Sequence, residues 1–173
     1  MKHFLLLSLI ISLIVAATSC ATVSENERHF YAAGDQGWEI TLPSSWKQEA
    51  CRTPGRICFW DAERRGFMEI SILKIPRIKV STLADDFFRK SHYEITAVKH
   101  YTGKIWEGNI YYAGDDHGDQ WLLAFLHFDD YLLFATFVTS EPAVMSGESG
   151  VVLDCLSNIS RRVASPAVRE DTI

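Results

Sequence analysis

The sequence has few basic residues and no basic run. Lysine and arginine total 17 against 22 aspartate and glutamate residues, which gives a net charge of -5. Basic residues are adjacent only in pairs such as Arg64-Arg65 and Arg161-Arg162. Nucleic-acid binding depends on clusters of positive charge that neutralise phosphates, so a nucleic-acid partner is excluded from the expected functions. The same shortage argues against a basic patch that would hold the protein on a membrane surface.

A catalytic motif is also missing. Ser149 in "GESG" (147–150) precedes Val151 rather than another glycine, and the G-x-S-x-G nucleophile elbow does not occur. His127 lies between two apolar residues of a buried-looking strand, a pattern that favours a packed histidine over an acid–base catalyst. The sequence therefore predicts no catalytic residue and no cofactor.

The densest polar cluster is "GDDHGD" (114–119). Four of its side chains could offer oxygens and one imidazole to a divalent cation, namely Asp115, Asp116, His117 and Asp119. Their spacing fits neither an EF-hand nor a zinc motif, and Gly and Asp between two strand patterns are typical of a turn. We interpret the segment as a turn. A metal-dependent enzyme or an envelope hydrolase that uses this loop remains an alternative.

Only one long hydrophobic run occurs, and it lies at the N-terminus. It extends from Phe4 to Ala17 after the positive charge of Lys2, and it is too short for a comfortable membrane span. This layout is typical of a secretory signal peptide. The run leads into four residues that resemble the bacterial lipobox, Ala17, Thr18, Ser19 and Cys20.

The lipobox resemblance implies that the Cys20 thiol is lipidated and that the leader is cut just before it. Several acyl chains anchor a protein more firmly than one chain does. Cys20 is followed by Ala21 rather than aspartate, which implies the outer membrane, with the protein facing the periplasm. A plain secreted protein with an incidental cysteine is the alternative. The predicted organisation is a leader (1–19), a lipidated tether (20–28), one domain (29–164) and a flexible tail (165–173).

The sequence has only four cysteines and neither a C-x-x-C motif nor zinc-site spacing. Cys51 and Cys58 bracket the turn signal Pro54-Gly55, and an exported chain meets an oxidising compartment. We therefore expect a Cys51–Cys58 disulfide. Cys155 lies on the apolar face of a predicted helix, where we expect a buried free thiol.

The hydrophobic periodicity predicts mostly strands. A strand around 38–42 ends at Pro43, and the alternation over 57–63 and 66–75 indicates a hairpin. A helix is predicted over 81–93, strands over 94–114 and 121–139, and a second helix over 149–163. The strands within 121–139 surround a tight Asp129-Asp130 turn and are apolar on both faces, so we expect them at the centre of the sheet. The predicted fold is α+β, with a single antiparallel sheet of about six strands and two flanking helices.

This element order, together with the opening "GWEITLPSSW", resembles the PsbP-like superfamily. Pro43 and Trp46 form the Pro-x-x-Trp at the end of the opening strand. The bacterial members of that superfamily include small periplasmic lipoproteins related to DcrB. The superfamily shares no catalytic residue, so the resemblance implies a binding or assembly role.

Aromatic residues are more numerous than one small core needs. Core packing is the simpler explanation, but some of them could line a surface that grips a partner. The candidates are Trp60, Trp106, Tyr111 and Tyr112. The expected function is a lipid-anchored periplasmic protein-binding module with an accessory, assembly or immunity role. A carrier of a small ligand or lipid, which would need an apolar cavity under the sheet, is a further alternative.

Overall fold

Strands dominate the described part of the chain. The computed structural model describes residues 26–33, 36–76 and 80–162, so the predicted leader, Cys20 and the predicted tail lie outside these ranges. The described elements are β1 (Asn26–Ala33), β2 (Gln36–Pro43), β3 (Lys47–Glu49), β4 (Ile57–Trp60), β5 (Phe67–Lys74), α1 (Val80–Lys90), β6 (Glu94–Thr102), β7 (Glu107–Gly114), β8 (Gln120–Phe128), β9 (Tyr131–Thr139), α2 (Pro142–Ser157) and β10 (Ser160–Arg162).

The described strands form two antiparallel sheets. The large sheet has seven strands in the order β3-β4-β5-β9-β8-β7-β6, and the small sheet has three in the order β1-β2-β10. The α+β class with two helices is confirmed. The predicted antiparallel sheet of about six strands has seven. Only the expectation of a single sheet is wrong, because three further described strands build a second sheet.

The hairpin of β8 and β9 lies at the centre of the large sheet. Its strands pair from Gln120 with Thr139 to Phe128 with Tyr131, so the connection is the predicted Asp129-Asp130 turn. Asp129 adopts the left-handed conformation with φ of 48°, which aspartate tolerates better than most residues. The predicted tight turn and central position are both confirmed.

Successive residues of β8 point into two different hydrophobic cores. The larger core takes Leu122, Ala124 and Leu126 and lies between the large sheet, α2 and β2. The smaller core takes Leu123 and Phe125 and lies under α1. We call the side of the large sheet that faces the smaller core the α1 face. The prediction that this strand is covered on both faces is confirmed.

The small sheet corrects the predicted tether. Strand β1 begins at Asn26 and pairs along its whole length with β2, from Asn26 opposite Pro43 to Ala33 opposite Gln36. Residues 26–28, which the sequence assigns to the tether, therefore belong to the folded domain. The polar sequence of this segment shows no strand pattern, so the strand was not predicted. Backbone pairing with β2 stabilises it instead.

The second helix begins earlier and ends earlier than predicted. It starts at Pro142, a favoured first helical residue, and it buries Val144 and Met145 in the part that the prediction missed. Gly147 and Gly150 lie inside this helix, and each lowers helix stability by about 1 kcal/mol relative to alanine. The low helix propensity of this part of the sequence is why the first two turns were not predicted. Arg161 and Arg162 belong to β10, which pairs with β2, and not to a last helical turn.

Neither described helix is long and apolar enough to cross a bilayer.

Trp106 connects distant parts of the larger core. Its side chain is 0% exposed, and its indole N–H donates a hydrogen bond to the carbonyl of Ile159 over 3.0 Å. The ring also contacts Trp38 of β2 at a centroid distance of 5.1 Å. The β6–β7 connection is thereby fixed to the segment between α2 and β10.

We expect Trp106→Ala to lower the free energy of unfolding by about 3–5 kcal/mol, because it leaves a cavity and an unpaired carbonyl. The matched control is Trp60→Ala at a half-buried tryptophan, for which we expect a loss of about 1 kcal/mol. Urea denaturation followed by circular dichroism measures both. Equal losses for the two variants would contradict this account of the core.

Candidate functional site

Large apolar side chains are exposed at four described positions, which form two patches. Leu73 and Leu83 are 47% and 39% exposed and line one groove, while Ile95 and Val98 are 42% and 53% exposed and lie on strand β6. Contiguous exposed apolar surface often marks an interaction site on a soluble domain. Both patches were missed by the sequence reasoning, which searched among tryptophans and tyrosines.

The first patch is a groove beside helix α1, which we call the α1 groove. It has a volume of about 340 Å³ and is lined by Leu73, Leu83, Asp86, Phe87, Lys90, Phe125, Leu132 and Phe134. Positions 83, 86, 87 and 90 form one side of a helix, so the groove runs along α1 for about two turns. Strands β8 and β9 supply the floor, and Leu73 of β5 supplies the far wall.

The pattern of helix α1 explains why the groove is open. Val80 and Ala84 are buried against the sheet, and Phe87 and Phe88 pack partly buried beside them. Leu83 lies on the flank of this stripe and does not reach the sheet centre. The two phenylalanines therefore pack towards the sheet, whereas Leu83 stays 39% exposed.

Aromatic contacts hold the floor of the groove. The Phe87 ring contacts Phe125 and Phe134, in each case at a centroid distance of 5.6 Å. Phe125 and Phe134 lie 4.8 Å apart. Such mutually packed rings fix one another's positions. The floor is therefore a preformed apolar surface.

The second patch is strand β6, which forms one edge of the large sheet. All but one of its residues, Tyr101, are exposed. A bulge between Ile95 and Ala97 shifts its register against β7. We call this strand the β6 edge.

The predicted aromatic candidates do not form one surface. Trp106 is fully buried in the larger core, so its predicted role in partner binding is wrong. Tyr111 is half-buried against Phe88 at a centroid distance of 4.6 Å, on the α1 face. Tyr112 belongs to the opposite face, and the Lys99 ammonium lies 5.0 Å from its ring centroid.

Trp60 lines a separate groove beside the disulfide. Cys51 and Cys58 are bonded, with Cα atoms 5.4 Å apart, which confirms the predicted pairing. The two cysteines border a groove of about 490 Å³ together with Trp60 and Phe67. The guanidinium of Arg64 lies 5.8 Å from the Trp60 ring centroid. Partner binding by Trp60 stays a prediction.

The 114–119 segment is a turn organised by Asp115. One Asp115 carboxylate oxygen accepts the backbone N–H groups of His117 and Asp119, each over 3.0 Å, and the other accepts the Trp121 indole N–H over 2.9 Å. Gly118 adopts φ of 86°, which suits glycine. Burial alone would raise the pKa of Asp115, but these hydrogen bonds outweigh it and hold the pKa below its ordinary value.

The metal alternative finds no support in this turn. The imidazole Nε2 of His117 lies 3.7 Å from the Asp116 carboxylate, and both side chains are highly exposed. Within residues 26–33, 36–76 and 80–162, no three His, Cys, Asp or Glu side chains are grouped so that they could hold a metal ion. Asp115 therefore has a turn-forming role.

Two further groups bear on an enzymatic function. Burial, and then the negative charge of Asp154, raise the pKa of the Cys155 thiol to about 12, so this buried free cysteine is protonated and unreactive. Burial, and then the negative charge of Asp61, raise the pKa of Glu148, which shares a groove of about 210 Å³ with Asp61. Asp61 itself accepts the backbone N–H of Arg65 over 2.7 Å, which is again a turn contact.

We expect Asp115→Asn to destabilise the protein at neutral pH by about 1 kcal/mol, a loss typical of a capping contact. Because the folded-state pKa is lowered, the charged carboxylate stabilises the fold above its ordinary pKa. This stabilisation is lost as the pH falls through the folded-state value. The difference between wild type and variant in urea denaturation should therefore shrink from pH 7 to about pH 3. Asp116→Asn is the control, and a pH-independent difference at Asp115 would contradict the assignment.

Comparison with known proteins shows likeness in structure only. No protein family and no curated protein matches the sequence. A crystal structure from Bacteroides thetaiotaomicron VPI-5482 is similar with a TM-score of 0.51 at 12% identity, covering 73% of this chain and 46% of that one. The chain thus spans about half the length of that protein.

Two further solved structures are similar. Cyanobacterial PsbP (CyanoP) from Synechocystis sp. PCC 6803 has a TM-score of 0.52 at 14% identity, and the match covers 85% of this chain and 99% of CyanoP. The Ran-binding protein Mog1p of Saccharomyces cerevisiae has a TM-score of 0.46 at 6% identity, with 78% and 89% covered. Identities this low establish the fold alone. The chain has a PsbP-like fold.

Proposed function

We propose that this protein is a non-catalytic module that binds a protein partner through the α1 groove. The observation that carries the proposal is the preformed apolar floor of that groove, bordered by two exposed leucines, Leu73 and Leu83. Apolar residues left in water at a concave, aromatic-lined surface are typical of binding sites.

The dimensions of the sheet support this assignment. Seven strands spaced about 4.8 Å apart make a sheet about 29 Å wide. A helix with its side chains is about 10–12 Å across. On the α1 face, α1 is the one described helix, and it has 11 residues. The face therefore has room for a second helix beside α1.

The partner that fits this space is an amphipathic helix. Such a helix would bury its apolar side on Phe134 and Leu132 and between the two exposed leucines, which is a common mode of helix recognition. The groove offers one acidic and one basic side chain, Asp86 and Lys90. The charged flank of a partner helix can therefore find a counter-charge at the rim.

We further propose that the module is held at the outer membrane, facing the periplasm, by acyl chains on Cys20. The leader pattern and the small residues before this cysteine support the anchor. The Cys51–Cys58 disulfide supports an oxidising compartment, since disulfides persist mainly in exported proteins. An accessory, assembly or immunity role agrees with such a location.

The alternatives have weaker support. The 114–119 segment is a turn, and within the described residues no three potential metal ligands are grouped, so no observation favours the envelope hydrolase or the metal-dependent enzyme. A carrier would need an enclosed apolar cavity. The α1 groove is mainly apolar, and it is open to solvent.

We expect Leu83→Glu to abolish binding of the partner without lowering the melting temperature, because Leu83 is exposed and a buried charge at the interface is costly. The matched control is Thr82→Glu, which adds the same charge at an exposed neighbour outside the groove. Tagged full-length chains are cross-linked in cells and purified, and the proteins bound are identified by mass spectrometry. The proposal is supported if one protein co-purifies in near-stoichiometric amount with the wild type and with Thr82→Glu, but not with Leu83→Glu.

A photoreactive residue at position 83 identifies the occupant of the groove. A cross-link to another protein agrees with the proposal. A cross-link to a lipid would favour the carrier, and a cross-link to residues 163–173 would mean that this chain fills its own groove. Either of the last two results would overturn the proposed function.

We expect Cys20→Ser to eliminate both palmitate labelling and membrane attachment, because hydroxyl in place of thiol removes the acylated group. Radiolabelled palmitate and membrane fractionation measure the two effects. Cys155→Ser is the control, since that buried thiol is distant from the leader in sequence. Equal labelling of wild type and Cys20→Ser would contradict the anchor.

A further inference from the structure

The two edges of the large sheet differ in length and chemistry. Strand β3 has three residues, all polar, whereas strand β6 has nine and exposes Ile95 and Val98. Natural proteins usually shorten or charge an open edge, because its free backbone groups can pair with another strand. The β3 edge follows this rule, and the β6 edge does so only in part.

The bulge in β6 decides which of its side chains share a face. Ile95 lies opposite Ala113, and Ala97 lies opposite Tyr112, so Thr96 is the extra residue. In a regular strand, residues three apart point to opposite faces. The extra residue places Ile95 and Val98 on the same side of the sheet, the α1 face.

The opposite face of β6 carries two charges of opposite sign. Lys99 lies opposite Ile110, which belongs to the larger core, so Lys99 is on the face away from α1. Glu94 lies opposite Gly114, one residue beyond Ala113 of the α1 face, so Glu94 is on the same face as Lys99. Both charged side chains are exposed.

We propose that two copies of this chain pair through β6, antiparallel and around a two-fold axis perpendicular to the sheet. In the matching register, Ile95 lies opposite Val98 of the second copy, and Glu94 lies opposite Lys99 of the second copy. The two-fold axis repeats each pair. Apolar contacts therefore form on one face and opposite charges meet on the other, both arrangements that stabilise paired strands.

Other registers lose this complementarity. Centring the pair on Lys99 places two ammonium groups directly opposite each other, which is unfavourable. Centring the pair on Val98 places the two valines opposite each other. In that register Lys99 lies opposite Ala97 of the second copy, so the contact between Glu94 and Lys99 is lost. The bulge therefore selects one register, because only there do both faces match.

The contact is small, with six residues per strand from Glu94 to Lys99. Stable interfaces bury about 1,200–2,000 Å² in total, so we expect a reversible dimer with a dissociation constant in the micromolar range or weaker. The β6 edge is separate from the α1 groove. Dimerisation is therefore independent of the proposed partner binding and can fail or succeed without it.

The test uses two full-length chains with different tags, co-expressed as Ile95→Cys and Val98→Cys. The register places these positions opposite each other, within the Cα separation of 4.4–6.8 Å that a disulfide requires. We expect a disulfide between the two chains after mild oxidation. Ile95→Cys expressed alone should form none, because its two copies are offset by three residues, or about 10 Å.

Charge reversal provides the second arm. Glu94→Lys alone should weaken association about tenfold in sedimentation velocity, because two attractive pairs become repulsive. Lys99→Glu alone should do the same, and the double variant Glu94→Lys/Lys99→Glu should restore association. Unchanged circular dichroism melts show that each variant is folded.

Each remaining outcome overturns the proposal. A monomer at concentrations up to about 1 mM would exclude the dimer. A disulfide in Val98→Cys expressed alone would indicate another register. Failure of the double charge variant to recover would exclude the Glu94–Lys99 pairing.

Discussion

The hairpin of β8 and β9 is apolar on both faces, and the rest of the fold depends on covering it. A half-buried strand alternates, but Leu122 to Leu126 are all buried, so neither side of this strand can face water. The chain meets this constraint by placing α2 and the small sheet on one face and α1 on the other. Strand order follows, since these two strands must lie in the middle and the more polar strands β3 and β6 at the edges.

Coverage of the two faces is unequal, and the proposed binding site lies on the less covered face. The larger core is closed by α2, β2 and Trp106, whose indole hydrogen bond to Ile159 joins segments more than fifty residues apart. The α1 face has a single described helix that is too narrow for the sheet. The apolar floor that remains open there is rigid, because its phenylalanines pack against one another as well as against α1. A preformed surface loses little entropy on binding, which favours recognition of a partner.

Polar clusters, by contrast, have local structural roles. The Asp115 carboxylate accepts two hydrogen bonds within its own turn and a third from Trp121 of β8, and Asp61 accepts one from Arg65. A carboxylate whose oxygens already accept hydrogen bonds from neighbouring residues has less capacity to bind a substrate or a metal. The densest acidic segment of the sequence is thus explained by turn geometry alone.

Elements whose stabilising contacts are local or periodic could be predicted. The β8–β9 turn, the start of α1 within one residue and the disulfide across the Pro54-Gly55 turn all follow from residues close together in sequence. Strands β1 and β10 could not be predicted, because the backbone of β2 stabilises them and their own side chains carry little hydrophobic pattern. The start of α2 was missed for a related reason: Gly147 and Gly150 lower its intrinsic propensity, and burial of Val144 and Met145 compensates.

The sequence by itself determined the α+β class, the two-sided burial of the central hairpin and the short disulfide loop, because periodicity and turn chemistry are properties of neighbouring residues. Only the tertiary structure decided which exposed residues form a site. Trp60 is the last residue of β4 and Trp106 immediately precedes β7, yet Trp60 lies at a groove and Trp106 is fully buried. Leu73 and Leu83 line one groove because α1 packs over β8 and β9, which follow it in the sequence, and beside β5, which precedes it. Such a surface depends on contacts between distant segments, and these contacts exist only once the chain has folded.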